Sequence, residues 1–90
     1  MLSEKPIKIE KVGKNFVARE ILRLAIIAEL DAVNLYEQLA ATKKKEAIRK
    51  ILLDVAKEEK THVGEFQTLL LREDPEQVEE LENGKQEVKK

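Results

Sequence analysis

Two long stretches free of helix breakers decide most of what this chain can fold into. Residues 16–41 contain neither Gly nor Pro, and residues 45–72 contain only Gly64. Both carry apolar residues at alternating spacings of three and four, the repeat of a helix packed against another helix. The sequence therefore predicts two long α-helices joined by a tight connection at Thr42-Lys43-Lys44-Lys45, with Asn15 as the first N-cap. Asp74-Pro75-Glu76-Gln77 has the order of a third helix start: Asp as cap, Pro at the first position, Gln at the third. Asn83-Gly84 is expected to end that helix. Residues 1–15, with Pro6 and Gly13, are expected to be a flexible arm, 16–82 the helical domain and 83–90 a flexible tail.

The seams of the two long helices are unusual. In the second, Ile48, Leu52, Val55, Glu59, His62, Phe66 and Leu69 follow at spacings of four and three. In the first, Leu22, Ile26, Glu29, Val33, Tyr36 and Ala40 do the same. Each stripe should be apolar, yet Glu29 interrupts one and the pair Glu59 and His62 interrupts the other. An unpaired carboxylate is costly to bury, and no seam Lys or Arg stands beside these acids. A divalent metal would carry the missing positive charge, because carboxylates and imidazole are its ligands. Glu59 and His62 are three residues apart, so both project from one helix face, in the Glu-x-x-His arrangement of di-iron and di-manganese bundles.

Such a centre takes one Glu from each of two helices and one Glu-x-x-His from each of two others. This chain supplies one helix of each kind, so the ligand set is complete only when two copies pair about a two-fold axis. The first helix argues the same way. LRLAIIAEL, residues 22–30, is apolar nearly all round, so a lone hairpin would leave Leu24, Ile27 and Ala28 partly wet. The expected fold is all-α: an antiparallel hairpin plus a short C-terminal helix, dimerising into a ferritin-like four-helix bundle.

Composition narrows the function classes. The chain has no cysteine, which removes disulfides, thiolate metal sites and thiol nucleophiles. Its formal net charge is −1, which gives no overall pull towards nucleic acid or anionic membrane. Aromatic residues are only 3 %, too few to stack bases beside Lys43, Lys44 and Lys45. No run reaches the roughly 18 apolar residues of a membrane span. Residues 73–82 are rich in acids without a base, and Glu65 lies off the seam; both read as solvated faces.

With those residues in view, EILRLAIIAELDAVNLYEQLA (20–40) and ILLDVAKEEKTHVGEF (51–66) resemble the encapsulated ferritins. The resemblance implies a ferroxidase that oxidises Fe(II) to Fe(III) with O2 at a di-iron centre between two subunits. Glu29, Glu59 and His62 match the iron ligands, with two iron ions per dimer. Tyr36 matches an aromatic near the centre. A pair of acids flanking the first ligand serves the family as a way in for metal; here one is Ala28 and the other is Asp31. The aromatic often found beside Tyr36 is Leu35. The resemblance further implies a homodimer assembled into a ring, commonly a decamer, and an encapsulin shell protein as partner. It places the chain in the cytoplasm, inside an encapsulin nanocompartment. The ending KQEVKK does not resemble a hydrophobic capsule-targeting peptide, which fits a domain separated from a shell protein or a protein that is not cargo.

Two other readings stand beside this one. A rubrerythrin-like protein would use the same centre to reduce peroxide, but has no Cys-containing module here to feed it electrons. A non-catalytic helical adaptor or oligomerisation domain would pair Glu29, Glu59 and His62 through water.

Overall fold

The computed structural model describes residues 17–42 and 45–89. The expected N-terminal arm, Asn15, Lys43 and Lys44 lie outside the described residues. Within them the chain is three helices: α1 (Val17–Thr42), α2 (Glu46–Glu73) and α3 (Pro75–Lys89). The two long helices match the expected spans to within a residue at each end.

Each boundary has a local cause. Lys45 is extended (φ −77°, ψ 119°) and offers no side-chain cap to α2, but Glu46 sets a negative charge at the helix N-terminus. At the other end Pro75 crowds the residue before it out of the helical region. Asp74 accordingly sits at φ −137°, ψ 83°, and α2 stops there. The Asp74 side chain then starts α3, because the Gln77 backbone N–H donates to its Oδ1 at 3.1 Å.

The third helix corrects one expectation. It passes through Asn83 and Gly84 and continues to Lys89. Gly84 has no positive φ, so it does not form the left-handed cap that its sequence position suggests. Side-chain pairs bridge this stretch: Asn83 Nδ2 donates to Glu80 Oε2 at 2.9 Å, and Gln86 Nε2 donates to Glu82 Oε1 at 2.8 Å. Such pairs one turn apart favour continued helix.

α1 and α2 run antiparallel, as the cross-links show. Arg19 and Arg23 reach Glu73 and Asp74. Further along α1, Glu29 reaches His62. Further still, Glu37 meets Lys60 at 3.2 Å. The Arg19 Nε donates to the Glu73 carbonyl at 2.7 Å, satisfying one of the orphan acceptors at the end of α2. The Arg23 guanidinium holds Asp74 Oδ2 at 2.7 Å. Desolvation works against ionised Asp74, but the Gln77 N–H and the two arginines outweigh it and hold its carboxyl below the usual range.

The seam drifts along α2. Ile48 and Leu69, both expected to face α1, are 44 % and 43 % exposed, and Leu70 is buried instead. A straight helix turns away from a strict seven-residue repeat by about 20° per heptad, which carries the buried face from Leu69 towards Leu70 by the end of α2. The α1 seam keeps its register, with Val33 and Ala40 buried and Leu22, Ile26, Glu29 and Tyr36 half-buried.

Very little apolar surface is fully covered. Among the described residues the buried apolar ones are Val33, Ala40, Ala56 and Leu70, and no large side chain is completely enclosed. Ile21, Leu30 and Ile51 are half or more exposed. α3 packs little against the hairpin, and Val78, Leu81 and Val88 on it are open. The radius of gyration is 16.3 Å, against about 12 Å for a compact chain of this length.

Candidate metal centre

α1 places Glu29 midway along the hairpin, and α2 places Glu59 and His62 opposite it. The three residues each offer one ligand atom, and these atoms lie within 4.8 Å of one another. Among the described residues this is the one such gathering of His and acidic side chains. His62 Nδ1 is 3.3 Å from Glu29 Oε2 and 3.5 Å from Glu59 Oε2.

Those distances are compatible with two uses of the cluster. A protonated His hydrogen-bonded to a carboxylate closes to about 2.7–2.9 Å. Two ligand atoms sharing a tetrahedral ion at bond lengths of 2.0–2.1 Å sit about 3.4 Å apart. The 3.3 Å between His62 Nδ1 and Glu29 Oε2 is a hydrogen bond between the side chains themselves, and the same spacing is compatible with two donors on one ion. No Lys or Arg is drawn into the group: Lys60, next to Glu59, pairs with Glu37 instead. The donor set is all oxygen and nitrogen, which suits iron, manganese or zinc.

Charge in the cluster is strained. Glu29 is held above its ordinary 4.5, first because its hydrogen bond with Glu59 needs a proton between the two carboxyls. Partial burial and the Glu59 charge add to this, and His62 pulls the other way. Around His62, loss of water contact is the largest single influence and favours the neutral ring. The Glu29 hydrogen bond and the charges of Glu29 and Glu59 together outweigh it, so His62 ends above its ordinary 6.5. Access is open, since the His62 side chain is 44 % exposed while Glu29 and Glu59 are each 19 % exposed.

The other expected residues lie apart from this group. Tyr36 is half-buried and two turns further along α1, about 10 Å of helical rise from Glu29. Asp31 is two residues beyond Glu29, and so points to another face of α1. Glu65 is exposed, as its place off the seam requires. The link from Arg19 and Arg23 to the α2–α3 corner was not read from the sequence. Its available signal was two arginines four apart on α1 and an Asp-Pro break that needed a partner.

A helical hairpin with a Glu on one arm and Glu-x-x-His on the other is the repeating half of a ferritin-like bundle. Comparison with known proteins agrees. A protein-family model described as rubrerythrin matches residues 20–90. The "Ferritin-like-encapsulin shell fusion protein" of Pyrococcus furiosus is 71 % identical over 70 residues, 78 % of this chain and 20 % of that protein. The "Encapsulin nanocompartment cargo protein EncC" of Myxococcus xanthus is 43 % identical over 68 residues, 76 % of this chain and 52 % of that protein. The crystal structure of the encapsulated ferritin domain from Pyrococcus furiosus superposes with a TM-score of 0.79 at 60 % identity, covering 99 % of this chain and 85 % of that one. The chain belongs to the rubrerythrin family of ferritin-like proteins, among its encapsulated ferritin domains. It spans about a fifth of the fusion protein and about half of the cargo protein.

Proposed function

We propose that the chain is a ferroxidase subunit whose centre is completed when two copies pair. Glu29, Glu59 and His62 of each copy would hold one iron, giving two iron ions per dimer. The spacing of these three donors on an open face, with no cationic side chain among them, is the observation that carries the reading. Two ferrous ions held together would each give one electron to dioxygen, which with two protons from solvent becomes hydrogen peroxide, and would leave as ferric ions. The part of this chain's residues is to bind and position. Glu29 and Glu59 neutralise the ions, and His62 contributes a neutral nitrogen once its proton has left. The half-exposed His62 face admits metal and oxygen. A hairpin encloses no storage space, so ferric product would be deposited outside the bundle. The printed names of the two relatives tie them to an encapsulin shell, and we extend that partnership, and residence in such a compartment, to this chain. The ring of dimers that the family resemblance implies fits the open apolar surface on all three helices.

The rubrerythrin match keeps a peroxide-reducing reading in play. The test is ferrous oxidation by the purified oligomer, followed by absorbance, with O2 and with hydrogen peroxide as alternative oxidants. Fast turnover with O2 supports ferroxidase. Turnover with peroxide alone moves the assignment to the rubrerythrin chemistry. A paired chain that stays metal-free after exposure to ferrous iron leaves only the adaptor reading.

A further inference from the structure

We infer that Asn83 is a modification site: its side-chain amide is lost by spontaneous deamidation, at a rate set by how often α3 opens. The site is separate from Glu29, Glu59 and His62 and does not depend on them.

Asn83-Gly84 is the residue pair this chemistry needs. The Gly84 backbone nitrogen, after giving its proton to solvent base, attacks Asn83 Cγ, and Gly carries no Cβ to hinder the approach. A bond forms between that nitrogen and Cγ, the Cγ–Nδ2 bond breaks, and Nδ2 leaves as ammonia with protons from solvent. Water then opens the cyclic imide at either carbonyl, giving Asp or iso-Asp. Solvent is the sole co-reactant.

Helical backbone opposes the attack. A helical ψ of about −42° holds the Gly84 nitrogen away from Cγ, and within α3 its hydrogen goes to the carbonyl four residues back. The Asn83 side chain is turned away as well, because Nδ2 donates to Glu80 Oε2 at 2.9 Å. Asn83 is therefore protected in the intact helix, although it is exposed to water.

That protection is shallow. Among the described residues none on α3 is buried, the helix packs little against the hairpin, and Val78, Leu81 and Val88 are open. A helix with so little tertiary contact opens at low cost. Its firm tie, Asp74 to Arg23, lies at the end away from Asn83. Gly84 weakens the helix at the reacting bond, and an added Cβ there meets nothing within 4 Å, so no close packing in the chain requires glycine. Conversion to iso-Asp inserts a methylene into the main chain and breaks the helical ladder. α3 then ends near Asn83 and gains a negative charge beside Glu79, Glu80 and Glu82.

The test incubates the full chain near neutral pH, folded and in guanidinium. Peptide mapping by mass spectrometry follows Asn83 for the mass gain of an amide turned into an acid. The expected result is conversion in the folded chain at about a tenth of the unfolded rate, an opening of about 1.4 kcal/mol. Asn34, exposed on α1 and followed by Leu35, should stay intact in the folded chain. Gly84→Ala, which restores a Cβ and strengthens α3, should lose most of the conversion. Amide exchange in the converted chain should quicken at residues 84–89 and not in α1 or α2. Three results overturn the inference. Asn83 that stays intact in the folded chain, whatever happens in guanidinium, shows that α3 does not open enough. Equal rates in the folded and unfolded chains show that α3 gives no protection. Gly84→Ala that converts as fast as the parent shows that the Gly84 nitrogen is not the attacking group.

Discussion

Metal affinity should depend on pH with a slope set by the protons that Glu29 and His62 hold in the empty site. Both groups sit above their ordinary values, and both must be deprotonated to bind metal. Each proton displaced changes affinity about tenfold per pH unit, or about 1.36 kcal/mol. Where Glu29 is ionised and His62 still holds its proton, the imidazole proton has to leave, so the logarithm of the affinity should rise by about one per pH unit for each chain. Where both groups are protonated the slope should approach about two, and where both are deprotonated it should vanish. Stability of the metal-free protein should run the opposite way. A raised value means the folded state favours the proton, so that stabilisation is complete below the unfolded values, near 4.5 and 6.5. It is lost as pH rises through the folded ones. Isothermal titration with zinc(II) in buffers of different ionisation enthalpy counts the protons released, and thermal melts with and without zinc give the two stability curves. Zinc affinity that is flat between about pH 5.5 and 6.5, where an ordinary His is already titrating, would refute this account of the cluster.

Other perturbations follow from the same structure. His62→Ala and Glu59→Ala each remove a ligand from both halves of a paired centre, so ferrous oxidation should fall towards the uncatalysed rate while Glu79→Ala, on exposed α3, leaves it unchanged; absorbance assays with melts of the same samples check this. Leu70→Ala empties the most enclosed leucine of the hairpin and should cost about 2–5 kcal/mol in urea unfolding. Gly84→Ala should stabilise the chain by about 0.5–1 kcal/mol, since Gly84 is helical with nothing within 4 Å of an added Cβ; a loss of stability in the melt would mean that another surface packs there. Arg23→Ala should free Asp74 and loosen the corner, seen as faster amide exchange at residues 76–80 with α1 and α2 unaffected.

Helix number, order and orientation were legible because 3.6-residue periodicity is a local property, and so was the candidate cluster of Glu29, Glu59 and His62, because an acid in an apolar seam is conspicuous without any fold. What was not legible depended on distance or on accumulated angle. The exchange of Leu69 for Leu70 at the end of α2 comes from helical drift that a seven-residue template hides. Asn83-Gly84 has the composition of a stop, but Gly is also tolerated within a helix at modest cost, and the Glu80–Asn83 and Glu82–Gln86 pairs favour continuing. The arginine tie to Asp74 joins residues 51 positions apart, and nothing local announces it. Asp74 itself was recognised as a cap, yet its second oxygen proved to be the anchor for α1.

The two oddities of the chain, an acidic seam and a thin core, bear on the same event from different sides. Covering one exposed Ile or Leu contributes about 1.5–3 kcal/mol at full burial. Ile21, Leu30, Ile48, Ile51 and Leu69 are each more than two-fifths exposed. Enclosing even a few of them against a second copy is comparable to the whole stability of a small domain, about 5–15 kcal/mol. A metal ion adds to pairing only the difference between its affinity for the completed site and its affinity for one chain. If one chain already supplies three donors, that difference is the gain from the remaining ligands and not the full binding energy. On this view apolar surface provides most of the affinity between copies. Under the proposed pairing, the apolar faces of the helices would set how tightly copies associate, and Glu29, Glu59 and His62 would set what the completed site holds.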